Sequence, residues 1–139
     1  MSAFAPGRQA LPHRFEVWAE RQREQGAWYL STIVIHELER GIAKLRRAGG
    51  VSKADALTLW LTETLLHYDG RILSVDSQVA REAGQLEDRT IAAGKNPGLA
   101  DVLIAATARV HDLTILTANV RHFATLDVPH LNPFSEENS

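Results

Sequence analysis

Four short apolar runs, set between longer stretches of helical periodicity, constrain this chain more than any other feature. The runs are Trp28-Tyr29-Leu30, Ile72-Leu73-Ser74-Val75, Leu113-Thr114-Ile115-Leu116-Thr117 and Val128-Pro129-His130-Leu131. Strands separated by helices predict an α/β fold with a mainly parallel sheet. The intervening helices have recognisable ends. Met1 to Pro12 reads as loop, and Phe15, Trp18 and Ala19 then fall at helical spacing up to Gln25, before Gly26. Ser31 or Thr32 can cap a helix from Ile33 to Arg47, with Ile35, Leu38, Ile42 and Leu45 on one stripe and Ile33, Glu37, Arg40 and Lys44 on another. Gly49-Gly50 ends it. Ser52-Lys53-Ala54-Asp55 fits a loose capping box for a helix to about His67, and Asp76 is placed to cap a helix running to about Ala93. Trp60 projects about 100° from Leu61, so the helix through Leu57, Leu61 and Leu65 is apolar on more than one side.

The stretch Asn96-Pro97-Gly98-Leu99-Ala100-Asp101 reads as a helix start, with Leu99 to His111 free of further breakers. Asp101 falls in the first turn, where the positive end of the helix dipole stabilises a carboxylate. Ala105 and Ala108 share its face by spacing, leaving a lone acid above small side chains. Taken alone, Asp101 reads equally well as an ordinary acid at a helix start.

The length of 139 residues suits one domain with helices on both sides of a sheet. Hydrophobic residues at 45% and charged ones at 23% match a soluble globular chain, and a net charge of −2 neither advertises nor excludes nucleic acid. The absence of cysteine removes disulfides, thiolate nucleophiles and cysteine-ligated zinc. No apolar run approaches the roughly 20 residues that span a bilayer, and no signal pattern opens the chain, so it is expected in the cytoplasm and off the membrane. His36-Glu37 begins like a metalloprotease pair, but Arg40 stands where the second ligand belongs. The histidines show no ligand-like clustering, and phosphate-loop, nucleophile-elbow and dinucleotide motifs are missing.

Three ordered segments resemble a PIN domain of the VapC or FitB toxin type. They are Leu30-Ser31-Thr32-Ile33-Val34-Ile35-His36-Glu37-Leu38-Glu39-Arg40-Gly41, Ala100-Asp101-Val102-Leu103-Ile104-Ala105-Ala106-Thr107-Ala108 and Leu116-Thr117-Ala118-Asn119-Val120-Arg121-His122-Phe123. Ile72 to Asp76 and Val128 to Phe134 match as well, so the likeness covers nearly the whole chain. It implies a three-layer α/β/α sandwich over residues 1–134, followed by a polar tail at 135–139. It also implies a metal-dependent endoribonuclease, the toxin of a toxin–antitoxin pair, using Mg²⁺ or Mn²⁺ held by carboxylates. RNA is then the substrate, and a cognate antitoxin and a second copy of the chain are the expected partners.

Phosphodiester hydrolysis needs an activated water and stabilised phosphate charge, which a divalent ion on hard oxygen ligands supplies. By position, Asp101 and Glu37 match two family acids, Asp101 as a direct or water-bridged metal ligand and Glu37 completing the shell or orienting water. Asn119 stands in the segment of the fourth polar position with Thr117 supporting it, and Asn119 also fits a turn or cap. Glu37 alone would read as a helix acid paired with Arg40 or Lys44. Arg40 and Lys44, on the Glu37 face, are candidates to meet RNA phosphates, although each taken singly reads first as ordinary surface charge. Trp60 and its leucines offer a dimer or antitoxin surface, or a core face.

One departure matters. The family normally opens with a strand ending in Asp-Thr-Asn, and Met1-Ser2-Ala3-Phe4 resembles the tail of that motif, so the expected Asp would lie just upstream. Without that strand its neighbours would be left with unpaired backbone groups, and fewer carboxylates would weaken metal binding. Two explanations follow. Met1 is an internal codon of a longer natural chain, or the chain is an impaired or inactive PIN-like module that binds an antitoxin, itself or RNA.

Overall fold

The alternation of strands and helices is realised along most of the chain in a computed structural model, which describes residues 3–6 and 28–132. The elements run β1 (Ala3–Pro6), β2 (Leu30–Ser31), α1 (Thr32–Arg47), α2 (Val51–His67), β3 (Ile72–Leu73), α3 (Ser77–Ala92), α4 (Leu99–Val110), β4 (Leu113–Leu116), α5 (Val120–Phe123) and β5 (His130–Leu131). The helix expected between Phe15 and Gln25 and the tail from Ser135 lie outside the described residues.

Two ladders are parallel, β2 with β3 and β4 with β5. Strand β1 joins them. It pairs antiparallel with β4 from Ala3↔Leu116 to Pro6↔Leu113, and a single antiparallel bridge, Phe4↔Tyr29, ties it to the residue before β2. The bridge is closed by Phe4 N–H to Tyr29 O at 2.9 Å and Tyr29 N–H to Phe4 O at 3.0 Å. Strands β2 and β4 therefore point the same way, with a reversed strand between them.

This corrects the expectation that Ala3 to Pro6 is loop and that the neighbouring strands lack a partner. The reason is physical. Ala3, Phe4 and Ala5 are apolar and buried, and an antiparallel strand presents donors and acceptors to a ladder as readily as a parallel one. Phe4 is 1% exposed and enters the main core. Ala3 and Ala5, pointing the other way with the two-residue period of a strand, join smaller clusters around Leu30 and Leu116.

Helix ends follow local chemistry in most places. Ser31 caps α1, its hydroxyl accepting from Ile33 N–H at 3.0 Å, and Asp76 caps α3, its carboxylate accepting from Val79 N–H at 2.9 Å. The capping box at Ser52 does not form. Helix α2 starts one residue earlier at Val51, Gly50 is its N-cap with no side-chain bond, and Asp55 instead takes Arg46 at 2.7 Å. Ser52 is already the second residue of the helix, whereas a capping residue must itself stand just outside it in a non-helical conformation.

Helix α4 is the centre of the core. It packs against α3, β4 and α1, and Val102, Ile104, Ala105, Ala106 and Ala108 are all buried with Val79, Leu86, Ile115 and Phe123. Helix α2, by contrast, packs chiefly on α1 through Ala54 and Leu61. No described helix is long and apolar enough to cross a membrane.

Candidate active site

Strand direction decides which side chains meet. In an open α/β sheet, ligands bind beyond the carboxyl ends of the strands. Strand β2 ends at Ser31 and passes straight into α1, which carries Glu37 in its second turn. Strand β4 ends at Leu116 and delivers Thr117 and Asn119. Helix α4 enters β4 through the tight turn at His111 and Asp112, so helix and strand run back against each other and the start of α4 lies toward the end of β4. Asp101 is thereby brought to the edge where Thr117 emerges.

Asp101 is the third residue of α4, after a Gly98 N-cap that has no side chain to offer. The carboxylate lies back over that glycine, where an added Cβ would stand 3.6 Å from Oδ2. Its side chain is 23% exposed, and Oδ2 is 3.3 Å from Nδ1 of His122 on α5. Burial pushes the Asp101 carboxyl above its ordinary value, and the charge and hydrogen bonding of His122 only partly offset that rise.

Thr117 is buried and its hydroxyl accepts the Asn119 N–H at 3.1 Å, fixing the bend between β4 and α5. Asn119 is exposed and stands at the N-cap position of α5 without making a side-chain cap bond, which leaves its amide available. Glu37 is exposed and, among the described residues, forms neither of the ion pairs with Arg40 or Lys44 that helix spacing allows. Arg40 and Lys44 are exposed too. The structure thus joins Asp101 to His122 and Thr117 to Asn119, and sets Glu37 on a neighbouring helix with no hydrogen bond or ion pair to any of them.

A metal centre needs more than this. Among the described residues, no group of three His, Asp or Glu side chains is placed to hold an ion. The two carboxylates, Asp101 and Glu37, do not amount to a complete set. Strand β1, in the middle of the sheet, contributes none, since Ala3 to Pro6 has no acid.

The PIN domain family model matches residues 4–128. The chain belongs to the PIN-domain family. Among relatives of this PIN-domain protein, the toxin FitB of Neisseria gonorrhoeae is 36% identical over 109 residues, covering 78% of this chain and 76% of FitB. Ribonuclease VapC10 of Mycobacterium tuberculosis is 32% identical over 106 residues, covering 76% and 70%. The VapC ribonuclease Y4jK of Sinorhizobium fredii is 30% identical over 129 residues, covering 86% and 91%. The fold is similar to that of the crystal structure of FitAcB from Neisseria gonorrhoeae, with TM-score 0.68 and 37% identity over 76% of this chain and 74% of that one. A structure of FitAB bound to an IR36 DNA fragment gives TM-score 0.66, with 33% identity over 77% and 73%. These likenesses establish a PIN domain of the VapC/FitB type.

His122 is the site residue that sequence reasoning passed over. It lies inside the third segment of the resemblance, but its link to Asp101 spans 21 positions and no periodicity reports it. A cleft of about 500 Å³ elsewhere, between α3 and α4, is lined by Ser77, Arg81 and Arg109 among others. Arg109 stands eight residues beyond Asp101, about 12 Å along the helix, and is bound to Glu82 at 2.7 Å. That cleft is separate from the Asp101 edge.

Proposed function

We propose that this PIN-domain chain is the toxin of a toxin–antitoxin pair, an endoribonuclease that hydrolyses RNA phosphodiesters with Mg²⁺ or Mn²⁺ and acts in the cytoplasm. The observation that supports the reading is the half-buried Asp101 at the start of α4, paired with His122 of α5 just beyond the Thr117–Asn119 bend, in a chain whose relatives are FitB and VapC ribonucleases. Asp101 is the principal ligand in this reading. Its burial makes the carboxylate costly to ionise, a cost that His122 offsets in part and that a bound cation would offset further. Glu37 is the second acid, and Asn119 offers a neutral oxygen held by Thr117. The remaining ligands come from outside the described residues or from water, so no reaction step is assigned to the ion. A cognate antitoxin and a second copy of the chain are the proposed protein partners, by analogy with the FitAcB and FitAB complexes.

The second reading, a PIN-like module without catalysis, is favoured by one observation: the central strand carries no acid. RNA cleavage with Mn²⁺ or Mg²⁺ decides between them, comparing this chain, its Asp101→Ala variant and a form extended upstream with an Asp-bearing strand. Cleavage by this chain that disappears in Asp101→Ala establishes that its own ligands suffice. Cleavage by the extended form alone places the missing ligand upstream. Silence of all three, folded and tested on varied RNAs, leaves the binding module.

A further inference from the structure

The charges of α1 are sorted by side. At about 100° per residue, Glu37, Arg40, Lys44 and Arg47 fall within an arc of roughly 80°, and Glu39 and Arg46 fall on the other side of the helix. All six are exposed. Arg46 is neutralised by Asp55 of α2 at 2.7 Å. Arg40, Lys44 and Arg47 have no carboxylate partner among the described residues, although Glu37 stands one turn from Arg40.

A basic last turn is ordinary, because cations there offset the negative end of the helix dipole. That accounts for Lys44, Arg46 and Arg47, the basic residues of the last turn. It does not account for Arg40, in the middle of the helix, or for three unpaired cations continuing one line from the candidate catalytic acid. Successive cations are separated by about 6 and 4.5 Å of helix rise. The buried face of the same helix, Val34 and Ile42, is fixed in the core, so the stripe is held outward.

We propose that Arg40, Lys44 and Arg47 form a track for the phosphate backbone of RNA, leading away from the Asp101 edge along α1. The proposal rests on the ribonuclease reading and extends it: Glu37 marks the catalytic end of the track and Arg47 its distal end. Phosphate contacts of this kind fix the position of a strand without reading its sequence.

Binding of a short labelled oligouridylate, followed by fluorescence anisotropy in EDTA over a series of KCl concentrations, tests it without cleavage. For single strands the slope of log K against log salt falls by about 0.7 for each phosphate that is no longer neutralised. Arg40→Gln, Lys44→Gln and Arg47→Gln should each flatten the slope by about that much and the triple variant by about 2, whereas Arg46→Gln leaves it unchanged. Circular dichroism checks that each variant is folded, and the single substitutions carry the result if the triple one is not. An unchanged slope in folded variants overturns the track, and the ribonuclease reading survives if cleavage persists. An equal loss in Arg46→Gln overturns it as well, because a diffuse field and not a stripe then holds the RNA. If the unaltered, folded chain does not bind the probe, the track falls, while the ribonuclease reading falls only if the extended form is silent on RNA with Mn²⁺ as well.

Discussion

Helices α4 and α2 are both rich in apolar residues, and the fold uses them in opposite ways. In α4 four of the nine apolar residues are alanines, and six of its twelve residues are buried, whereas α2 buries only Ala54 and Leu61 of its seventeen. Leu59 is 61% exposed and Leu66 is 73% exposed, with Trp60 and Val51 exposed beside them. The alanines of α4 let α3, β4 and α1 approach it from several sides at once. Among the described residues, the large side chains of α2 pack chiefly on one neighbour, α1. The difference teaches that apolar content marks a helix as adhesive, and that side-chain size decides how many partners it can bury against.

Substitutions can break that comparison, and the largest effect is expected at Ile104. Ile104→Ala removes a buried side chain from α4 and should cost about 2–5 kcal/mol in urea unfolding. Ala106→Leu forces added volume into a fully buried position and should cost about 1–3 kcal/mol by the same measurement. A smaller effect belongs to Asp101→Asn. Because burial raises the Asp101 carboxyl in the folded state, the native protein holds that proton more tightly than the unfolded chain does. The contribution of Asp101 is therefore most favourable below its unfolded pKa and is lost as pH rises through the folded one. Asp101→Asn should raise the melting temperature at neutral pH, and the gain should shrink on acidification; a gain that grows instead would mean His122 outweighs burial. The smallest change is expected in α2, where Leu59→Ser and Leu66→Ser should alter monomer stability by no more than about 0.5 kcal/mol. A loss there as large as at Ile104 would show that α2 is buried in solution and would end the contrast.

The two ends of the chain's logic were not equally legible. The caps at Ser31 and Asp76, the helix start at Gly98 and the first-turn place of Asp101 follow from residue type and spacing, because they are local hydrogen-bond and breaker effects. The failed box at Ser52 is local as well, yet it lost to a three-residue turn and to the Arg46 pair with Asp55. Glu37 was legible as a candidate from its segment, but its lack of an ion pair was not, since i,i+3 spacing permits one. His122 was invisible because its partner lies on another element.

By itself, the sequence determined the alternation of strands and helices, the PIN-domain motifs and the acid at the start of α4. These are properties of neighbouring residues, where propensity and capping act over a few positions. Only the tertiary structure decided that Ala3 to Pro6 fills the middle of the sheet in reverse, since either strand direction satisfies the open backbone groups of β2 and β4 and the choice depends on how the whole chain closes. It also decided that Asp101 meets His122 and that, among the described residues, the cations of α1 are divided between a side paired to Asp55 and a side with no carboxylate partner, because burial and pairing arise only when separate elements come together.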